Sequence, residues 1–313
     1  MRYAQGITEY VERYNRTLPQ DFHQRPVAEQ RRLYEALGAE FPYPVAPGVR
    51  VTDETVTTAD GRDQPVRVYR PAHIVGRGAV LYLRGGGFVV GSLETHNALV
   101  SELAAKTGLL CFALEFRMAP EHPFPAGIED CYRALGAIVA AADRFGLDPD
   151  RIVVAGESSG ANMAAVLTMM TRDRGGPRIH AQALISPVLD FTRWRHGGPD
   201  APLLTGDEMA YFTACYCPRP EDAAHPYVSP LVSGAFHDLP PAYLRGSGLD
   251  SLLVDSQLYA ARLRDNGVPV RLVVEPGLPH AGVRARGVSP SSAEAWDRYC
   301  QAVAGLATTA EVS

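Results

Sequence analysis

The stretch RIVVAGESSGAN, residues 151–162, decides the fold of this chain. An apolar run leads into GESSG at 156–160, and a run rich in small residues and methionine follows. This pattern predicts a buried strand, a tight turn and a helix. Glycines on both sides leave room for the turn, which places Ser158 at its apex with an exposed hydroxyl. A plain Gly/Ser loop has the same letters, but the flanking strand and helix favour a nucleophilic serine.

Composition excludes several classes of protein. The chain has 313 residues, of which 46% are hydrophobic and 21% charged, within the range of one large α/β domain. Its net charge of −5 and the lack of a basic cluster argue against nucleic acid as a partner. The N-terminus is charged from its second residue, and no apolar run approaches the roughly 20 residues of a membrane span. We therefore expect no signal peptide and no membrane partner.

The five cysteines are scattered along the chain, and Cys215-x-Cys217 lacks the second ligand pair of a zinc site. We expect free thiols, a cytoplasmic location and no metal site. The partner should be a small neutral molecule. The oligomeric state stays open, with a homodimer as one option.

The order of apolar runs predicts an α/β fold. Near-continuous apolar strands alternate with helices, which indicates a mostly parallel sheet covered on both faces. Before them, residues 51–58 and 66–71 alternate like an antiparallel pair at a sheet edge. The predicted core strands are 79–83, 109–116, the strand before Ser158, 181–189, 242–246 and 268–275. The predicted helices are 95–108, 126–146, the helix after Ser158, 256–267 and 291–306.

Two segments stand outside this alternation. Residues 1–50 predict two or three short amphipathic helices interrupted by prolines. Residues 190–239 are rich in proline, glycine and aromatics, and a connection of this length inside a compact domain is usually functional, often a lid. We therefore divide the chain into an N-terminal helical cap segment, 1–50, and a catalytic domain, 51–313, with 190–239 as its cap insertion.

A serine hydroxyl needs a base, usually histidine, that a buried carboxylate orients. In a parallel sheet these groups lie at the carboxyl ends of strands, in the chain order serine, acid, histidine. Asp250 follows the strand AYLRGSG after one intervening residue, and His280 directly follows RLVVEPGLP. Asp255 is the rival acid, but its place at the start of a helix favours N-terminal capping. We predict Ser158, Asp250 and His280 as the catalytic residues.

The loop RGGGF, residues 84–88, directly follows the strand AVLYL. Consecutive glycines let backbone N–H groups approach a substrate oxygen closely. We predict the amides of Gly85, Gly86 and Ser159 as oxyanion donors, because the residue after the nucleophile supplies one of them. The residues predicted to bind substrate or to shape this loop are Arg84, Gly87, Phe88 and Glu157.

These features resemble the hormone-sensitive-lipase-like family of α/β-hydrolases, the bacterial family IV esterases. The segment FRMAPEHPFPAGIEDCYRAL (116–135) is similar to that family's Y-R-L-A-P-E-H-x-F-P-A block. GLDSLLVDSQLYA (248–260) resembles its G-x-D-P-L-x-D-E stretch, and HPYVSPL (225–231) its D-P-x-x-S-P-L. The resemblance implies an eight-stranded sheet, a small helical cap, no cofactor, and hydrolysis of small acyl esters.

The sequence also departs from the family pattern. Arg84 stands where the family has the histidine of H-G-G-G. We consider two roles for it: a clamp that binds loop carbonyls or a nearby carboxylate such as Glu157, or a contact to an acidic or polar group of the substrate. The other departures are Ser159, Ala161, Ser251 and Ala281-Gly282.

A serine carboxylesterase for short acyl esters, acting through an acyl-enzyme, is the function that the sequence favours. One alternative is a biosynthetic enzyme that uses the fold for acyl transfer, elimination or cyclisation, and the unusual Arg84 loop keeps it open. The other is a non-catalytic ligand receptor. The gibberellin receptors, which the family resembles, lack the catalytic histidine, whereas His280 is present here.

Overall fold

One eight-stranded sheet forms the centre of the computed structural model, which describes residues 2–308. The sheet order is first, second, fourth, third, then fifth to eighth along the chain. The second strand pairs antiparallel with both of its neighbours, and all other pairs are parallel. The predicted fold class is thereby confirmed. The strands are β1 Val49–Thr57, β2 Asp63–Pro71, β3 Ala79–Leu83, β4 Leu110–Leu114, β5 Ile152–Glu157, β6 Ala181–Ile185, β7 Ala242–Ser247 and β8 Val270–Glu275.

Helices cover both faces of the sheet, and further helices lie at its carboxyl edge. The side chains of each strand alternate between the two faces, so β3 sends Leu81 and Leu83 to one buried cluster and Val80 and Tyr82 to the other. The first cluster contains α4, α6 and α8, and the second contains α3 and α9. The helices are α1 Ile7–Thr17, α2 Val27–Glu40, α3 Leu93–Thr107, α4 Ala126–Ala140, α5 Ala142–Phe145, α6 Ser159–Arg174, α7 Gly206–Tyr216, α8 Leu253–Asp265 and α9 Pro290–Thr308.

The predicted elements are present, with shifted ends. Gly108 and Gly146 adopt the left-handed conformation, with φ of 67° and 71°, and end α3 and α5 because glycine carries no Cβ penalty there. The predicted helix 126–146 divides at Ala141 into α4 and α5. The predicted helix 256–267 begins earlier, at Leu253. Of the predicted segments, residue 1 and residues 309–313 lie outside the described part of the chain.

The N-terminal helices pack on the loop that follows β8. The amide of Ala4 donates to the carbonyl of Gly277 at 3.1 Å, and the Tyr10 hydroxyl donates to the carbonyl of Ala281 at 2.9 Å. The N-terminal segment also meets the segment 190–239, because Gln30 Nε2 donates to the Tyr211 hydroxyl at 2.7 Å. The two segments that interrupt the α/β alternation are therefore in direct contact.

Within the described residues, every helix is too short or too polar to cross a lipid bilayer.

The connection from β5 to α6 passes over the end of β3 in close van der Waals contact. A Cβ placed on Gly160 would lie 2.0 Å from the carbonyl oxygen of Leu83 and 2.5 Å from that of Arg84. These are backbone atoms of a buried strand end, so they cannot move aside without shifting β3 itself. The glycine is therefore required by packing.

We expect Gly160→Ala to destabilise the protein by about 1–3 kcal/mol or more, because the added methyl group overpacks a rigid contact. Gly136→Ala is the matched control: it lies within α4, nothing lies within 4 Å of its Cβ position, and alanine should gain about 0.5–1 kcal/mol there. Urea denaturation followed by circular dichroism measures both free energies of unfolding. Equal stability of Gly160→Ala and the wild-type protein would contradict the packing argument.

Candidate active site

Ser158 forms the tight turn between β5 and α6. Its backbone has φ 52° and ψ −120°, a conformation that is strained for a residue with a side chain. The turn is fixed on both sides: the Ser158 amide donates to the carbonyl of Ile185 at 2.9 Å, and the Asn162 amide donates to the carbonyl of Ser158 at 3.0 Å. The strain holds the serine side chain out of the sheet at the N-terminus of α6.

The structure brings the three predicted catalytic side chains into one hydrogen-bonded row. His280 Nε2 lies 3.0 Å from the Ser158 hydroxyl oxygen, and His280 Nδ1 lies 2.8 Å from Asp250 Oδ2. The other Asp250 oxygen accepts the amide of Leu252 at 2.9 Å, which fixes the carboxylate plane. Asp250 and His280 follow the carboxyl ends of β7 and β8, so neighbouring parallel strands deliver them to the same edge as Ser158.

The Asp250 carboxylate controls the protonation of His280. Burial favours the neutral imidazole, but the charge and the hydrogen bond of Asp250 outweigh it, and the pKa of His280 is raised above its ordinary value. Glu157 and Glu208 contribute in the same direction from further away. The site is thus arranged to accept a proton on Nε2 and to stabilise the resulting positive charge.

Asp255 has a different role from the one that the sequence suggested. It makes no capping hydrogen bond at the start of α8. Its Oδ2 accepts the amide of Leu189 at 2.7 Å, and its Oδ1 pairs with Arg193 Nη1 at 2.7 Å. Burial raises the pKa of Asp255 to about 6, although these contacts oppose the shift. The capping interpretation is wrong, because the side chain turns away from its own helix to hold the start of the segment 190–239.

The glycine loop adopts a backbone that only glycine accommodates at its centre. Gly86 has φ 122°, and a Cβ there would lie 2.2 Å from the carbonyl oxygen of Val90. The loop is closed by the Val90 amide, which donates to the Gly86 carbonyl at 2.9 Å. Within residues 2–308, no protein acceptor takes the amide hydrogens of Gly85, Gly86 or Ser159. These three donors, which also line the Ser158 pocket, are free to bind a substrate oxygen.

Arg84 points away from the pocket and forms a clamp with Glu115. Its Nη2 lies 2.8 Å from Glu115 Oε2, and its guanidinium lies 4.2 Å from the centre of the Phe116 ring. Glu115 Oε1 accepts the amide of Leu93 at 2.7 Å, so the pair connects the glycine loop to the start of α3. The carboxylate in this clamp is Glu115 rather than the Glu157 given as the example from the sequence, and the side chain is 4% exposed and does not line the Ser158 pocket.

Glu157 belongs to a buried polar network behind Ser158. Burial lowers the pKa of His96, which favours its neutral ring, and His96 Nε2 lies 2.7 Å from Glu157 Oε1. The Tyr82 hydroxyl donates to Glu157 Oε2 at 3.1 Å. Burial alone would raise the pKa of Glu157, but His96, Arg284 and Tyr82 together lower it to about 2. Glu157 is therefore a fixed anion that shapes the loop, with its oxygens already bound by protein.

Gly87 and Phe88, the two remaining residues predicted to shape the loop, contact aromatic rings of α7. The ring of Phe88 stacks on Tyr216, with centroids 3.6 Å apart and planes inclined by 6°. A Cβ on Gly87 would lie 2.4 Å from the ring of Phe212, so that ring rests directly on the glycine. The glycine loop is therefore held between Glu157 on the sheet side and α7 above it.

A largely apolar pocket surrounds Ser158 and His280. The N-terminal segment and the segment 190–239 both line it, in addition to the glycine loop and the ends of the strands. Sequence reasoning missed these lining residues, because they meet only through packing of distant segments. The sequence did contain one local signal for the start of α7: Thr205 and Glu208 have the spacing of a capping box, and the structure contains that capping box. The lining residues contributed by these two segments are Tyr14, Leu18, Phe22, Tyr34, Phe191, Leu203, Leu204, Glu208, Met209 and Phe212.

Known proteins are similar to this chain over most of its length. The sequence profile of a family described as alpha/beta hydrolase fold matches residues 80–284. Carboxylesterase NlhH of Mycobacterium tuberculosis is 35% identical over 268 residues, covering 82% of this chain and 83% of the relative. Ethyl acetate hydrolase of Pseudomonas putida is 33% identical over 273 residues, covering 84% and 85%. The structure of a hyperthermophilic esterase from the archaeon Pyrobaculum calidifontis superposes with a TM-score of 0.88 at 32% identity, over 99% of this chain and 100% of that chain.

We expect Arg84→Ala to lower the free energy of unfolding by about 1–3 kcal/mol and to lower kcat for all esters alike, because the loop loses its clamp. Arg84→Lys should recover part of both, since lysine restores the charge but not the planar contact with Phe116. The exposed Arg178 supplies the control variant, Arg178→Ala. Steady-state kinetics on a neutral and a carboxylate-bearing ester check the result. A rise in KM confined to the acidic ester would instead indicate a substrate contact.

Proposed function

We propose how this chain, which belongs to the α/β-hydrolase fold family and is a serine carboxylic-ester hydrolase, carries out its reaction. The Ser158 hydroxyl attacks the acyl carbonyl carbon while His280 Nε2 takes its proton. Asp250 keeps the imidazole in the tautomer that leaves Nε2 free, and stabilises the imidazolium once it forms. The hydrogen-bonded row from Ser158 to Asp250 is the observation that carries this proposal.

The amides of Gly85, Gly86 and Ser159 are the proposed oxyanion donors. They have no protein acceptor within the described residues, and they line the pocket that contains Ser158. Donors fixed before the reaction stabilise the tetrahedral intermediate without a reorganisation cost, and each is worth about 2.7–4 kcal/mol of barrier. Glu157 and the Arg84–Glu115 pair act on these donors indirectly, as positioning groups.

The reaction then completes in two balanced steps. Collapse of the tetrahedral intermediate breaks the bond to the alcohol oxygen, which receives its proton from the His280 imidazolium. A water molecule next attacks the acyl-enzyme while His280 again takes a proton, and the acid leaves as Ser158 regains its hydroxyl hydrogen. No step in this sequence requires a group from outside the chain other than substrate and water.

Residues 1–50 and 190–239 are the proposed cap over this site. Their direct contact at Gln30 and Tyr211, and their shared lining of the Ser158 pocket, support this division of the chain. Bulky side chains from both segments, such as Phe22, Phe212 and Met209, line the pocket. We infer that it takes short acyl chains, a preference that agrees with the name of the ethyl acetate hydrolase among the relatives.

Two observations favour hydrolysis over the biosynthetic enzyme and the ligand receptor that the sequence analysis left open. The relatives at 35% and 33% identity are named as ester hydrolases, which does not favour a biosynthetic transformation. The proposed base His280 is in place beside Ser158, which argues against a silent receptor.

All five cysteines are free thiols in the structure, and a cytoplasmic location stays our proposal on that basis.

Ser158→Ala and His280→Ala should each reduce hydrolysis of p-nitrophenyl acetate by several orders of magnitude, because neither half of the nucleophile–base pair works alone. Asp250→Asn should lower kcat about 10⁴-fold, since the amide stabilises the wrong tautomer of His280. Asp255→Asn is the matched control, and its kcat per folded molecule should stay close to that of the wild-type enzyme. A larger kcat loss in Asp255→Asn than in Asp250→Asn would move the acid to Asp255.

The acyl preference is tested with p-nitrophenyl esters of increasing chain length. We expect kcat/KM to be highest between acetate and about hexanoate and to fall for longer chains, because the cap leaves limited space above Ser158. An emulsified long-chain triglyceride serves as the comparison substrate. Faster hydrolysis of that emulsion than of soluble acetate esters would overturn the proposed preference.

A further inference from the structure

The charges that line the Ser158 pocket are unbalanced. Its lining contains two carboxylates, Glu157 and Glu208, and among the described lining residues there is no lysine or arginine. Glu157 is compensated, because His96 and Tyr82 bind its oxygens and Arg284 lies close enough to stabilise its charge. Glu208 has no cationic partner among the ion pairs of residues 2–308. The pocket therefore presents one uncompensated acidic side chain.

Glu208 is held in place by only one of its two oxygens. It occupies the first turn of α7, where Oε2 accepts the Thr205 amide at 2.8 Å and the Thr205 hydroxyl at 3.0 Å. No hydrogen bond within the described residues uses Oε1. The side chain is half-buried and lines the same pocket as Ser158 and His280. One oxygen thus fixes the orientation while the other stays available to a ligand.

Aromatic residues share the pocket lining with this carboxylate. Phe212 lies one helical turn after Glu208 on the same face of α7, with its ring on Gly87. Tyr14 is near enough for the Glu208 charge to raise the pKa of its hydroxyl, although burial is the larger cause of that shift. Phe22 lines the same pocket. Aromatic faces attract ammonium cations, and a nearby carboxylate adds direct charge attraction for the same group.

We propose that this hydrolase selects esters whose alcohol part carries an ammonium group, which Glu208 and the aromatic residues of the pocket lining bind. The proposal rests on the hydrolase function proposed above. The alcohol part is assigned because its oxygen receives the proton of His280 Nε2, and Glu208 lines the same pocket as His280. The influence of Glu208 on the pKa of His280 agrees with this proximity.

The test compares acetylcholine with 3,3-dimethylbutyl acetate, in which carbon replaces the quaternary nitrogen at nearly the same shape. The wild-type enzyme should have a kcat/KM about tenfold or more higher for the cationic ester, as a charge-assisted contact predicts. In Glu208→Gln, which can keep the bonds to Thr205, this ratio should fall to about one. Asp207→Asn removes an exposed charge from the neighbouring position, and its ratio should match the wild-type ratio.

Product inhibition supplies a second readout that does not depend on turnover of these esters. Choline should inhibit hydrolysis of p-nitrophenyl acetate more strongly than 3,3-dimethylbutan-1-ol, and Glu208→Gln should remove the difference. Equal kcat/KM values for the two esters in the wild-type enzyme, or an unchanged ratio in Glu208→Gln, would overturn the inference alone. Failure of the wild-type enzyme to hydrolyse even p-nitrophenyl acetate would contradict the proposed function instead.

Discussion

The close contact between Gly160 and the carbonyl oxygens at the end of β3 is the constraint on which the site depends. It allows the turn after β5 to pass directly over the strand that leads into the glycine loop. Ser158 and the amides of Gly85 and Gly86 therefore become neighbours without any contribution from flexible side chains. The same closeness recurs one residue along, where a Cβ on Gly85 would lie 3.0 Å from Glu157. The glycines at these positions let the two backbone segments approach each other closely.

A second layer of polar contacts holds this arrangement from behind and from above. Glu157, His96 and Arg284 form the buried part of it, and Arg284 also donates to the Tyr34 hydroxyl of α2 at 3.2 Å. Tyr10 of α1 binds the carbonyl of Ala281, the residue directly after His280. The N-terminal helices thus have two structural roles, since they line the pocket and also support the loop that carries the proposed base.

The electrostatics of the site favour the charge that the proposed reaction creates on His280. Asp250 contacts the ring directly, and Glu157 and Glu208 add negative potential from within the pocket lining. The opposite charge, on the substrate oxygen, would be met by backbone N–H groups rather than by cationic side chains. Positive and negative charge are therefore stabilised by different kinds of group, and Glu208, which has no cationic partner among the described residues, is the carboxylate that we propose binds the substrate.

The sequence by itself determined the fold class, the serine turn, the glycine loop, and the places of Asp250 and His280. Each of these depends on local order along the chain, because the carboxyl ends of parallel strands meet at one edge wherever they lie in the sequence. Only the tertiary structure decided the partners of long side chains. Arg84 bound Glu115 rather than Glu157, Asp255 bound Leu189 and Arg193, and Glu208 reached the Ser158 pocket. Such pairings depend on how distant elements pack and on which buried charge each side chain can reach, and no spacing along the chain records that.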